Sequence, residues 1–357
     1  MATAKAKPKA KKKAPSKKRK AAKTDSRRIA RFCVLGIVGA FALLSLTGSW
    51  YAAHPLEWLE SSAMPRFIAS PLLYFGNRIL MLTDALDWTG HDAVYETDDP
   101  APEGQVLYGG KPKRVGAPAP SDIQVLDRGD FIVGWSDSLR HPVWVAYHVP
   151  AEAKFEVGKR PGFRKDRAVP EAPASSAYDR SGYDRGHMAP NHAIATRFGP
   201  DSQAKTFLMS NIAPQSPALN RGPWRELERR IADLWTQRWG EIWVICGAIS
   251  GDNPRSRETL GGTHVDVPEK FWMLIVAQER QDVRALALVL PQTVRYGDFP
   301  THRIVTIDDL EEMTGLDLMP DLPSYLQQAL EADRPTRLWP VRVRDLFKLI
   351  MLRFPGA

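Results

Sequence analysis

The chain has 357 residues, 43% of them hydrophobic and 11 of them Trp, enough to bury a substantial core in one large domain or two small ones. Its net charge of +8 is unevenly spread. Residues 1–31 hold ten Lys and four Arg against Asp25 alone, and the remainder carries 35 bases against 40 acids, so overall basicity is no argument for nucleic-acid binding by the globular part.

Residues 1–28 are rich in Ala, Lys, Pro and Ser and almost without large apolar side chains. Such a tract cannot offset the entropy of ordering and is expected to be a disordered basic tail. From Phe32 to Ala53 no charged residue occurs over 22 positions, and roughly 20 suffice for a helix to cross a bilayer. Arg27, Arg28 and Arg31 precede this run, and Trp50 and Tyr51 stand where an interfacial aromatic belt would. Residues 29–53 therefore read as a transmembrane anchor with the N-terminus in the cytoplasm. A cleaved signal peptide and a buried soluble helix are the competing readings. The expected location is the inner (cytoplasmic) membrane, single-pass, with the globular part periplasmic or extracellular.

Residues 54–95 carry apolar positions at nearly helical spacing, from Phe67 through Leu72, Phe75 and Ile79 to Leu86, and read as an amphipathic helical segment. Residues 96–121 are rich in Pro, Gly and Asp and read as a linker. From Ile123 the pattern changes to short β-branched and aromatic runs separated by turns: 123–126, 131–135, 143–149, 242–248, 271–277 and 285–290. Between the third and fourth runs lies a loop-like stretch, 158–183, two polar runs, and a helix over 224–237 with Trp224, Leu227, Ile231 and Leu234 on one face. A further helix is expected over 306–314, capped by Thr306 or Asp308, and helical pieces over 322–350. Strands on either side of a loop-helix unit predict an α+β domain over 122–330, with a C-terminal helical extension over 331–357. Cys33 and Cys246 are too differently placed to predict a pair.

The chemistry concentrates in the two polar runs. The first is Asp184-Arg185-Gly186-His187-Met188-Ala189-Pro190. A neutral imidazole can take a proton from water near pH 7. Arg185 can bind phosphate with two donors, or pair with Asp184 or another acid. Gly186 allows close backbone approach. The second is Ser210-Asn211-Ile212-Ala213-Pro214-Gln215, followed by Leu219-Asn220-Arg221-Gly222-Pro223-Trp224 and Glu228. Asn220 is either a helix N-cap or an oxygen ligand for a divalent cation. Glu228 is either a solvated helix residue or a group that holds a metal-bound water. His187 and His192 are five apart with no Cys or Glu-x-x-His nearby, which argues against zinc. No Gly-x-Ser-x-Gly elbow is present.

These runs, in this order, resemble the DNA/RNA non-specific endonucleases, the ββα-metal (His-Me finger) nucleases. The resemblance covers roughly 120–325, extending upstream to Trp144-Val145-Ala146-Tyr147 and downstream to 305–323. It implies a central antiparallel sheet flanked by helices, Mg²⁺ as cofactor with Mn²⁺ as the alternative, and DNA and RNA as substrates. It further implies His187 as general base, Asn220 as the direct protein ligand of the metal and Glu228 as the group positioning a metal-bound water. Arg185 is placed at the scissile phosphate, Asn211 in support of the site, and Arg160, one residue off the family spacing before Phe163-Arg164-Lys165-Asp166, as a second phosphate contact. An Arg expected on the helix after Glu228 falls at Ala232, with Arg229 or Arg230 as substitutes. The partners expected are nucleic acid and, through the N-terminal helix, the membrane; a homodimer is left open. Competing readings are a non-catalytic nucleic-acid-binding protein on a degenerate nuclease fold, a phosphodiesterase for small diesters, and an intracellular nuclease with a basic arm.

Overall fold

The computed structural model describes residues 92–252, 257–295 and 300–341. The expected basic tail, the transmembrane anchor, nearly all of the amphipathic segment and the end of the C-terminal extension lie outside these residues. Among the described residues, no helix is long and apolar enough to cross a membrane.

In chain order the strands and helices are β1 (Ala93–Glu96), β2 (Lys113–Arg114), β3 (Ile123–Asp127), β4 (Phe131–Ser136), β5 (His141–Val149), β6 (Asp184–His187), α1 (Asn191–Phe198), α2 (Pro200–Thr206) and β7 (Ile212–Gln215). A helical run, α3, begins with a turn at Pro217–Leu219, kinks at Gly222 and continues from Arg225–Arg229 to Thr236–Trp239. Then come β8 (Ile242–Ile249), β9 (Lys270–Glu279), β10 (Asp282–Pro291), β11 (Ile304–Val305), α4 (Ile307–Thr314), β12 (Leu316–Asp317) and α5 (Ser324–Ala332).

The main sheet is antiparallel, in the order β1-β10-β9-β8-β5-β4-β3, with β11 added beside β10. Its central strands are buried along nearly their whole length, with only end residues such as Glu279 and Asp282 exposed. An antiparallel strand with one wet face would alternate apolar and polar residues; these read as continuous apolar runs because both faces are covered. On one face Trp144, Trp243, Ile245, Trp272 and Leu274 form a core with Leu310 of α4 and Leu326 and Leu330 of α5. On the other, Tyr147, Val244, Cys246, Phe271 and Met273 are buried. Trp224 of α3 packs edge-on to Phe271 there, with centroids 5.8 Å apart, and the Cys246 thiol donates to the Met188 carbonyl at 3.4 Å. That second face carries the two polar runs.

Residues 96–121, which read as a linker, lie against the domain. β2 pairs with β12, and the buried Tyr108 donates its hydroxyl to Gln278 Oε1 at 3.0 Å. β1 pairs with β10, and Arg337 forms an ion pair with Asp92 at 3.2 Å. The cap expected at Thr306 or Asp308 is Thr306, whose hydroxyl accepts from Asp309 N.

Candidate active site

His187 ends β6, which pairs with β7 in the register Asp184↔Gln215 and His187↔Ile212. This small sheet brings the two polar runs side by side. Asn211, 1% exposed, pins the chain directly after His187. Its Oδ1 accepts from Ala189 N at 2.8 Å, and its Nδ2 donates to the carbonyls of Ala189 and Thr206, each at 3.0 Å. Gly186 is required by packing within the fold, since a Cβ there would come 2.2 Å from Oε1 of the buried Gln215. The close approach anticipated for a substrate is thus made by Gln215.

His187 is 8% exposed, and its ring packs against two aromatic rings, Phe163 at 5.3 Å and Phe207 at 4.8 Å between centroids, which also touch each other at 5.1 Å. Its Nε2 is buried without a hydrogen-bond partner. Burial, assisted by the charge of Arg160, pushes its pKa down to about 3, so the imidazole is neutral throughout the physiological range. Arg160 is exposed, its guanidinium 5.6 Å from the Phe207 ring centroid. Its charge acts on Glu228 as well as on His187, which places it near both.

Arg185 has an acidic partner, but it is Asp179 and not the adjacent Asp184. Arg185 Nε also donates to Ser175 Oγ at 2.9 Å, and its guanidinium lies 5.7 Å from both the Phe163 and Tyr178 ring centroids. It therefore buttresses the aromatic wall against which His187 packs.

Asp184 instead receives Asn220 and Arg221. Asn220 Nδ2 donates to Asp184 Oδ2 at 2.9 Å, and Arg221 grips both oxygens at 2.8 and 2.6 Å. A carboxylate only accepts, so the amide orientation of Asn220 is fixed and Oδ1 is the atom left to face a ligand. Burial alone would raise the Asp184 carboxyl; the bonds from Arg221 and Asn220 outweigh it and hold the group below its ordinary value. Asn220 is not the N-cap here: that role falls to Ser216, whose hydroxyl accepts from Leu219 N. Gly222, at φ −106° and ψ −117°, breaks the helix two residues after Asn220, and Pro223 restarts it.

Glu228 lies in the first full turn of α3 and is half-buried. Burial pushes its carboxyl up to about 8. Within the next two residues, Arg230 is wholly buried in an ion pair with Glu226 at 3.0 Å, whereas Arg229 is half-exposed beside Asp233 at 3.1 Å. Of the two, Arg229 is the one at the surface. His192 bonds to Asp233 at 2.7 Å, which separates it in function from His187.

The donors suit a hard, oxygen-seeking cation that keeps most of its own waters: one amide oxygen on Asn220 and one carboxylate on Glu228, with no thiolate and no second imidazole. Phe207, Asp179 and Ser175 are the contributors that the sequence did not single out. Phe207 lies 20 residues from His187 in a run with no polar signature, and the Arg185–Asp179 pair is made by folding. A cavity of about 550 Å³ elsewhere, bordered by Asp122, Asp266, Met313 and Leu316, includes none of the expected site residues.

Residues 109–324 match the family model described as DNA/RNA non-specific endonuclease. The chain is 31% identical over 240 residues to the mitochondrial nuclease of Saccharomyces cerevisiae, covering 61% of this chain and 71% of that protein. It is 27% identical over 223 residues to a nuclease of Nostoc sp., covering 59% and 78%. Endonuclease G in the crystal structure of the EndoG/EndoGI complex superposes with a TM-score of 0.53 at 25% identity, over 64% of this chain and 95% of that one. With three fifths of its length inside the family match and the fold of a solved relative, the chain belongs to the DNA/RNA non-specific endonuclease family.

Proposed function

We propose that this nuclease is a metal-dependent endonuclease without sugar specificity, hydrolysing phosphodiester bonds of DNA and RNA, in which Asn220 Oδ1 and Glu228 would hold Mg²⁺ or Mn²⁺. The observation that carries this reading is the unpartnered, buried Nε2 of His187 on the same small sheet that orients Asn220. The neutral His187 imidazole takes the proton of the attacking water, and Asn211 and the Phe163–Phe207 pair fix the ring in place for it. Asp184 turns Asn220 Oδ1 outward, and Arg160 supplies positive charge for the phosphate backbone. A bound cation supplies the charge that stabilises the phosphate oxygens as the bond breaks. Contacts of this kind read backbone and not bases, so both nucleic acids are substrates.

The domain boundaries proposed from the sequence are kept except at the start of the nuclease domain, which is extended to take in β1 and the segment before β3, since both pair with it. The apolar run at 29–53 is proposed as a membrane anchor that leaves the nuclease domain outside the cytoplasm. A reporter fused at Ala357 that is active only in the cytoplasm would overturn that topology.

The activity is tested on the full chain in detergent, with circular plasmid and single-stranded RNA, with and without Mg²⁺. Cleavage of both substrates should need the metal and fall by at least about 10²-fold in His187→Ala. Undiminished cleavage by His187→Ala removes the base assignment; no cleavage by the folded wild type with any divalent metal removes the reading itself.

A further inference from the structure

On the sheet face opposite His187, α4, β12 and α5 bring several carboxyl groups together. Asp308 and Glu311 are three residues apart on α4 and so share a face. Glu331 approaches from α5. One carboxylate oxygen from each of the three lies within 4.8 Å of the other two. Oxygens on opposite sides of a bound Ca²⁺ are about 4.6–5.2 Å apart, twice the Ca–O distance, whereas around Mg²⁺ they are about 4.0–4.2 Å apart.

Clustering alone is common on protein surfaces; here a second observation points to a ligand. Glu331 is only 8% exposed, and its Oε1 is buried with no hydrogen-bond partner. A bond from Gln327 to the carboxyl leaves that oxygen unserved. Asp317 of β12 presents another buried, unpartnered oxygen, Oδ1. The charges acting on Glu311 and Glu331 are those of other carboxylates, Asp308 and Asp317 on both. Burial first, and then these neighbours, push both carboxyls up to about 7. Glu311 Oε1 already accepts from Leu318 N at 2.7 Å, so the turn after β12 is tied to the same point. A buried carboxylate with an unmet oxygen is costly unless a proton or a cation serves it.

We propose that Asp308, Glu311 and Glu331 form a structural divalent-cation site of the Ca²⁺ class, which joins α5 to α4 and is separate from the catalytic metal at Asn220. Asp308, being exposed, leaves room for water to complete the six to eight oxygens that Ca²⁺ takes.

The test uses the full chain in detergent, freed of metal by chelator, at pH 8 where the carboxyls are ionised. Terbium luminescence reports direct occupancy, and the thermal midpoint is followed with added Ca²⁺. With Ca²⁺ a hundredfold above its Kd, the midpoint should rise by about 5 °C or more. Glu331→Gln, which keeps shape and removes charge, should abolish both the rise and the Ca²⁺-displaceable terbium signal. The surface change Asp308→Asn should weaken both at least tenfold and serves if Glu331→Gln does not fold. Asn220→Ala should retain both, which separates this site from the catalytic one. No rise in the wild type, or an equal rise in the Glu331 and Asp308 variants, overturns the proposal and leaves the nuclease reading untouched.

Discussion

Asn211→Ala is the substitution that most directly tests how the site is held. The side chain makes three hydrogen bonds, to Ala189 N, Ala189 O and Thr206 O, and both Ala189 and Thr206 are fully buried. Truncation abandons three backbone groups at about 1–3 kcal/mol each. Water entering the vacated space recovers part of that, since the space is polar on three sides. The expected net loss is about 3–5 kcal/mol, which for a domain of this size lowers the thermal midpoint by about 6–15 °C. Urea denaturation measures the first quantity. Because Ala189 follows His187 by two residues, Mg²⁺-saturated plasmid cleavage at a temperature where the variant remains folded should also fall, by at least tenfold. Asn211→Asp restores only the acceptor for Ala189 N and should be no more stable than Asn211→Ala. A variant that loses less than about 1 kcal/mol and cleaves at the wild-type rate would refute the view that Asn211 holds the histidine turn.

Other substitutions probe the neighbouring parts. Gly186→Ala drives a Cβ into the buried Gln215 and should cost about 1–3 kcal/mol by denaturation, with cleavage reduced by displacement of β6. Asp184→Ala frees the Asn220 amide to rotate and should raise the Mg²⁺ concentration for half-maximal cleavage about 10–100-fold, with a smaller change at saturating metal. Glu228 has its folded pKa raised from 4.5 to about 8, so between these values the folded protein holds a proton that the unfolded chain has released. The stability it contributes is present below 4.5 and lost as the pH rises through 8, and Glu228→Gln should flatten that dependence in urea titrations. For the same reason Mg²⁺ binding at pH 7 should release close to one proton, measured by calorimetry in two buffers of different ionisation enthalpy, and the Gln variant should release none.

The sheet was legible because its strands are continuous runs of β-branched and aromatic residues bounded by turns; 271–277 needed only a residue or two at each end to become Lys270–Glu279. The segment 96–121 was less so. Its Pro and Gly content describes a chain without regular structure, and nothing local reveals that Tyr108 and Ala119 lie on the sheet. The candidate site was legible as residue types in order, through His187, Asn211, Asn220 and Glu228. Its pairings were not. Whether Arg185 meets Asp184 or Asp179, and whether Asn220 caps a helix or leans on Asp184, depends on the β6–β7 pairing and on the kink at Gly222.

The two titrating groups of the proposed site are moved in opposite directions by one cause. Burial lowers His187 and raises Glu228, so the free protein holds both uncharged at pH 7. Taken alone, a histidine near 3 is a weak base, since proton transfer is best served by a pKa near the working pH. Arg160 deepens that depression in the free protein. A phosphodiester drawn to Arg160 brings negative charge to the same place, offsets the guanidinium and stabilises an imidazolium at His187. On the proposed mechanism His187 gains strength as a base only when the substrate is in position, and the dry aromatic walls of Phe163 and Phe207 that weaken it beforehand are what make the added charge count.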